Sequence, residues 1–252
     1  MNVVLLEEHD RIGDATFAVN DARAVHIYTV LKARAGQQVR VGMIDGPLGT
    51  GTIESIEPRA VTLRCIFETA LPPRPRVDLL LALPRPKVMR RLWAQLAALG
   101  IGQIILTNAE RVERPYFDTH VLDEATYRPL LIEGLQQARD TRLPAVSIHR
   151  QFKILIEDHL DRLSPGSRRL VADPSGATSM TAVVGGAVEE RVLLAVGPEG
   201  GWNTFELSLL QAHGFRLAGL GARTLRTDTA CIALLAIVHA ALVNGASPGA
   251  LP

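Results

Sequence analysis

The residues best suited to chemistry lie in Gly197-Pro198-Glu199-Gly200-Gly201, where one carboxylate stands among three glycines and a proline. Glycines there permit positive φ and let a ligand approach the backbone without meeting a Cβ. A carboxylate in such a loop can accept a proton, or anchor the loop by accepting backbone N–H bonds. Asn203, with Glu206 three residues on, has the spacing of a helix-starting capping box, whose free N–H groups would face the same crevice. A glycine-rich turn can also be a plain strand-to-helix connection. No Gly-Lys-Ser/Thr follows, and the spaced glycines of a dinucleotide fingerprint are absent, so the loop suits a ligand without a triphosphate. Two further segments share its character: "ADPSG" (172–176) and "ARTLRTDTA" (222–230), the latter placing Arg226 immediately before a long apolar run. An arginine there could be functional or an ordinary surface cation.

Strands must carry these segments. "RRLVADP", "RVLLAVGP" and "FRLAGLG" read as strands that end at the three loops, and "VDLLLAL", "IGQIILTN" and "AVSIHR" as further strands. "KVMRRLWAQLAALG" puts Val88, Leu92, Leu96 and Leu99 on one helical stripe with Gly100 as its stop. Helices are expected around 123–140, 152–160, 204–213 and 229–243. Strands alternating with helices argue for a parallel sheet covered on both faces, with ligands at the carboxyl ends of its strands. Thr227, Asp228 or Thr229 can cap the last helix, and Asn244-Gly245 marks its end. A helix apolar on nearly every face is buried or lies in a subunit interface. Before this region, "VVLLEE", "TFAVN", "QQVRVGMID", "LGTGTIESIE" and "AVTLRCIF" read as strands of a small β-barrel, two of them joined by the turn "DGPLGTG". One helix interrupts them, with Val25, Tyr28 and Leu31 at helical spacing and Gly36 as its end. The proline-rich "ALPPRPRVD" is the expected linker, dividing the chain into 1–72 and 73–252.

At 252 residues, 47% of them hydrophobic, the chain can bury a sizeable core, built mainly from aliphatic side chains because aromatics make up 4%. Net charge is +1, but residues 1–72 hold seven Lys/Arg against nine Asp/Glu, so the remainder carries a surplus of cations. Arg74, Arg76, Arg85, Lys87, Arg90 and Arg91 crowd a stretch whose one acid is Asp78, which is either a solvated face or a phosphate-facing patch. Cys65 and Cys231 match no metal or redox spacing, and the seven histidines contain no i, i+4 pair, so no metal site is expected. The N-terminus has no basic, apolar leader, and no apolar run reaches membrane-spanning length. A cytoplasmic protein with no membrane attachment is the expectation.

"VGPEGGW" followed by "LGARTLRTDTA" resembles the paired motifs of the RsmE-type 16S ribosomal RNA uracil-N3 methyltransferases, of the SPOUT class. "AVHIYTVLKARAGQQVRVGMIDG" is similar to that family's PUA-like RNA-binding barrel, and "LLLALPRPKVMRRLWAQLAALGIGQIIL" to its first strand–helix–strand. The chain departs from the family pattern at Ala98-Leu99-Gly100, at Leu135-Gln136 and at Thr227-Asp228-Thr229, where Thr-Glu-Thr is usual.

The resemblance implies an α/β fold: a parallel sheet with a trefoil knot over 73–252, preceded by a PUA-like β-barrel over 1–72. It implies S-adenosyl-L-methionine held by Gly197, Pro198, Glu199, Gly200 and Gly201 and by Leu220, Gly221, Leu225, Arg226 and Thr227. It also implies a homodimer formed through the knot region and a substrate in ribosomal RNA or the small ribosomal subunit. Uracil N3 must lose its imide proton before it can attack. Glu199 is the candidate proton acceptor, or only the loop's anchor, and Arg226 is the candidate stabiliser of the anionic base. Arg85, Lys87, Arg90, Arg139 and Arg142 are the candidate RNA-backbone contacts. Two other functions fit the same residues: methyl transfer to another RNA position, such as a ribose 2′-oxygen, and a non-catalytic RNA-binding assembly factor.

Overall fold

The structure, a computed structural model, describes residues 2–185, 190–221, 223 and 225–244. It contains two compact units. One comprises Met1–Arg74 with Leu131–Leu143, the other Pro75–Leu130 with Pro144–Pro252.

The first unit is built on β1 (Val4–Leu6), β2 (Thr16–Val19), α1 (Ala22–Thr29), β3 (Gln38–Met43), β4 (Leu48–Glu57) and β5 (Ala60–Phe67). The strands run in the order β1-β3-β4-β5-β2, with β1 parallel to β3 and the rest antiparallel. The sheet curls into a half-barrel, as the PUA-like expectation requires. Alternation along each strand sends Leu6, Phe17, Val41, Ile53 and Leu63 into one core, closed by Ile27 of α1. The face of α1 differs from expectation. Ala24 and Ile27 are buried, whereas Val25, Tyr28 and Leu31 stay exposed. The helix also ends at Thr29, well short of Gly36, which takes positive φ in the following turn. Asp21 caps α1, and Arg23 joins Asp21 to the buried Asp10 and to the Leu5 carbonyl.

The second unit follows the alternating rhythm. In chain order come β6 (Val77–Ala82), α2 (Pro86–Ala98), β7 (Ile101–Thr107), α3 (Glu124–Ala138) and β8 (Ala145–His149). Next are α4 (Phe152–Ile154), α5 (Leu160–Leu163), β9 (Arg168–Ala172) and α6 (Met180–Val184). Then β10 (Val192–Val196), α7 (Thr204–Ala212), β11 (Arg216–Ala218) and α8 (Thr227–Asn244) complete it. Of α3, the residues from Leu131 onward count with the first unit. The six strands are all parallel, in the order β11-β9-β10-β6-β7-β8. Strands β6 and β10 are buried at every position, as central strands covered on both faces must be.

Helix α2 buries Met89, Leu92, Trp93 and Leu96 and stops at Gly100, whose φ is +78°. The expected stripe holds at Leu92 and Leu96 but not at its ends, where Val88 and Leu99 are only half-buried and Met89 and Ala97 are the buried residues. The single helix expected over 152–160 is broken into α4, a π-turn at Leu155–His159, and α5. Helix α6 was not foreseen. Helix α8 begins at Thr227, two residues before the expected start, and Gly245, its expected stop, lies outside the described residues. Among the described residues no helix is long and apolar enough to cross a membrane, and no cluster of three or more metal-ligating side chains occurs.

Candidate active site

Sheet order makes the site. β11, β9 and β10 are neighbours, so the three loops that leave their carboxyl ends meet although they lie up to fifty residues apart in sequence. They enclose one cavity of about 110 Å³. From β9 come Ala172, Asp173 and Pro174. The loop after β10 contributes Gly197, Pro198, Glu199, Gly201 and Trp202, and the segment after β11 contributes Leu220, Gly221, Arg223, Leu225 and Thr227. Ala230 and Leu234 of α8 add apolar wall.

Each loop is held by backbone contacts that leave no room for larger residues. The Gly219 N–H donates to the Thr178 carbonyl at 2.9 Å, and the Asp173 N–H to the Ala218 carbonyl at 3.1 Å. A Cβ on Gly219 would stand 2.5 Å from the Gly176 carbonyl oxygen, and one on Gly176 would stand 2.6 Å from the Ala218 carbonyl carbon. Gly201 and Gly221 have φ of +72° and +102°, conformations that disfavour any other L residue. Trp202 is buried and packs on Phe152 at 5.4 Å between ring centroids, and a Cβ on Gly197 would meet its indole at 3.1 Å. The Trp202 Nε1–H has no partner among the described residues.

The capping box at the start of α7 is as the spacing predicts. Asn203 Oδ1 accepts the Glu206 N–H at 2.8 Å, and Glu206 Oε2 accepts the Asn203 N–H at 2.8 Å. Glu206 does more than its position in sequence suggests. It is buried, and its Oε1 accepts the Glu110 N–H at 2.6 Å, which ties the loop after β7 to the glycine-rich loop. Arg111 strengthens the tie by donating to the Gly200 carbonyl. Gly200 therefore faces Arg111 and does not line the cavity, the one residue of the glycine-rich loop to stand apart.

Glu199 lines the cavity, and its Oε1 accepts the Arg85 N–H at 3.2 Å at the start of α2, so the anchoring role has a partner. Arg226 is exposed and outside the cavity wall; its carbonyl accepts the Ala230 N–H and begins α8. Asp228 inside the first turn pairs with Arg91 at 2.9 Å. Burial pushes the Asp228 carboxyl up, but the Thr229 N–H and Arg91 outweigh it and hold the group below its ordinary value.

Arg85, Lys87 and Arg90 are exposed on the first turns of α2, whose own first turn contains no acid. Cations added to the positive end of a helix make an anion-attracting surface. Arg139 and Arg142 belong to the first unit. Arg139 is exposed in the left-handed region at φ +61°, whereas Arg142 spends its guanidinium on the carbonyls of Pro72, at 2.6 Å, and Asp45, at 3.1 Å.

A family model described as an RNA methyltransferase domain matches residues 72–239, and one described as an RNA methyltransferase PUA domain matches residues 19–65. The chain belongs to this RNA methyltransferase family. Its relatives include the ribosomal RNA small subunit methyltransferase E of Treponema pallidum, 34% identical over 95% of this chain and 91% of that one. The enzyme of the same name from Mycobacterium tuberculosis is 26% identical over 89% and 86% respectively. The fold is shared with the ribosomal RNA small subunit methyltransferase E from Neisseria gonorrhoeae bound to S-adenosyl methionine. That likeness has a TM-score of 0.75 at 19% identity, covering 95% of this chain and 97% of the other. Trp202, Asp173, Pro174 and Arg223 are wall residues that motif reading passes over, although "ADPSG" is a strand end of the right kind.

Proposed function

We propose that this RNA methyltransferase transfers a methyl group from S-adenosyl-L-methionine to N3 of a uridine in 16S ribosomal RNA, as a cytoplasmic homodimer. The observation that carries the reading is the single cavity enclosed by the loops after β9, β10 and β11, in a chain of this family. Its chemistry suits the donor. Bare backbone at Gly197, Gly201 and Gly221 admits close approach, and Leu225, Ala230 and Leu234 offer an apolar surface to a base. Carboxylates at Asp173 and Glu199 suit a cationic ligand, and the unpartnered Trp202 Nε1–H suits an acceptor on it. When bound, S-adenosyl-L-methionine supplies an electrophilic methyl group. Gly197, Pro198, Glu199, Gly201, Leu220, Gly221, Leu225 and Thr227 would hold it, with Gly200 supporting its loop from the side of Arg111.

The chain's own part is to position the base, take the imide proton and offset the charge that the uracil carbonyls acquire. Glu199 keeps its loop in place through Oε1, leaving Oε2 to accept the proton. Arg226, one residue before the wall at Thr227, supplies the cation. Arg85, Lys87 and Arg90 hold the RNA backbone, with Arg139 a further contact; the bonds of Arg142 favour a structural role for it. The proposed division falls at 72/73, with Arg85, Lys87 and Arg90 of the transfer domain sharing RNA capture with the PUA-like barrel. The trefoil knot is proposed on the family resemblance and on the backbone bonds that clasp 218–219 between 173 and 180. The apolar helix α8, with Val243 52% exposed, supports pairing of two chains there.

The test supplies purified protein with isotopically labelled methyl donor and either free 16S RNA or assembled small subunits. Label in RNA as 3-methyluridine is the expected result. Label confined to ribose, or absent from RNA with both substrates, would overturn the assignment.

A further inference from the structure

A second cavity, of about 320 Å³, lies beside the first and is more polar. Asn108, Glu110 and Arg114 of the loop after β7 form one wall, Lys153 of α4 a second, and Asn203 and Phe205 at the start of α7 a third. Trp202 lines the donor cavity and Asn203 the second one, so consecutive residues face the two spaces.

The side chains around it are those of nucleotide recognition. Phe205 is 58% exposed, an aromatic ring that the fold leaves without cover. The Asn108 carboxamide carries a buried oxygen with no partner among the described residues, a condition that is unfavourable unless something donates to it. Arg114 makes no ion pair with a described residue, and Lys153 has only a loose contact with Glu157 at 3.8 Å. The nearby Glu206 carboxylate does not compete, since the Glu110 and Asn203 N–H groups occupy both its oxygens. Glu110 is the one exposed acid in the wall, set against two cations.

We infer that this cavity is an RNA subsite that takes one unstacked nucleotide flanking the methylated residue. Its base stacks on Phe205, the base edge donates to Asn108, and its phosphate lies on Arg114 and Lys153. The inference rests on the RNA methyltransferase reading above. The loop after β7 is tied to the glycine-rich loop through Glu206 and Arg111, so filling the subsite also steadies the wall of the donor cavity.

The experiment measures methyl transfer to 16S RNA and, separately, donor binding by calorimetry, for the full chain and for Phe205→Ala, Phe205→Tyr and the double variant Arg114→Ala/Lys153→Ala. Loss of one stacking platform should raise the KM for RNA about tenfold. Donor affinity should stay within about twofold, and Phe205→Tyr should restore the KM. The double variant should weaken RNA binding and flatten its dependence on salt by about one counterion, because both cations share one phosphate. If wild type methylates RNA and Phe205→Ala leaves the KM unchanged, the subsite is wrong while the function stands. A wild type that transfers nothing to RNA would overturn the function and the subsite together.

Discussion

Glu206 is the residue whose removal should be felt most widely. Its carboxylate is 3% exposed and accepts two backbone N–H bonds, at 2.6 Å from Glu110 and 2.8 Å from Asn203. Each is a hydrogen bond to a charged group, worth about 1.5–3 kcal/mol, and Glu206→Ala leaves both donors without an acceptor. Because the two losses share one space and a water can enter it, their sum is about 3–5 kcal/mol. Glu206→Gln keeps one acceptor oxygen and should recover about half. Both tryptophans, Trp93 and Trp202, lie in the second unit, so intrinsic fluorescence during urea unfolding reports that unit selectively. The same substitution releases the loop after β7 from the glycine-rich loop, so donor affinity should fall along with stability. A loss below about 1 kcal/mol for Glu206→Ala would refute the claim that this carboxylate clamps the two loops.

Three further outcomes are expected. Gly219→Ala puts a methyl 2.5 Å from the Gly176 carbonyl, where neither backbone can yield, so thermal denaturation should show a loss of about 3 kcal/mol and equilibrium dialysis weaker donor binding. Glu199→Gln keeps an oxygen for the Arg85 N–H but cannot take a proton; single-turnover kinetics at saturating donor should show a drop of about 10²–10⁴, and an unaltered rate would remove Glu199 from the chemistry. Burial, and secondarily Arg76, lowers the His239 imidazole below its ordinary value, and its Nε2 is buried without a partner among the described residues. The unfolded chain then binds the proton more readily, so stability is fully present above about pH 6.5 and declines as pH falls from there toward the lowered value. His239→Leu should flatten that acid limb in urea titrations, with His149, lowered chiefly by burial, accounting for part of what remains.

Local signals made much of the site legible. The alternation of buried strands with helices carries the parallel sheet, and Asn203 with Glu206 announces its own cap. What local pattern cannot encode is which strands become neighbours. Trp202 and Asp173 share a cavity only because β9 and β10 pair, and nothing in either segment states that pairing. The second bond of Glu206 reaches 96 residues back, and the Arg142 guanidinium binds carbonyls 70 and 97 residues away, so both roles were invisible to spacing. The face of α1 was misread because Val25, Tyr28 and Leu31 do fall on one stripe, but Ala24 and Ile27 are the residues that meet the sheet. The break at Leu155–His159 has no proline or glycine to signal it.

The central claim is methylation of uridine N3 in small-subunit ribosomal RNA. Nucleoside mass spectrometry of that RNA, from cells with and without the gene, tests it most directly. Disappearance of 3-methyluridine with the gene, and its return with the wild-type chain but not with Arg226→Ala, is the result expected. Persistence of 3-methyluridine in cells lacking the gene would contradict the account.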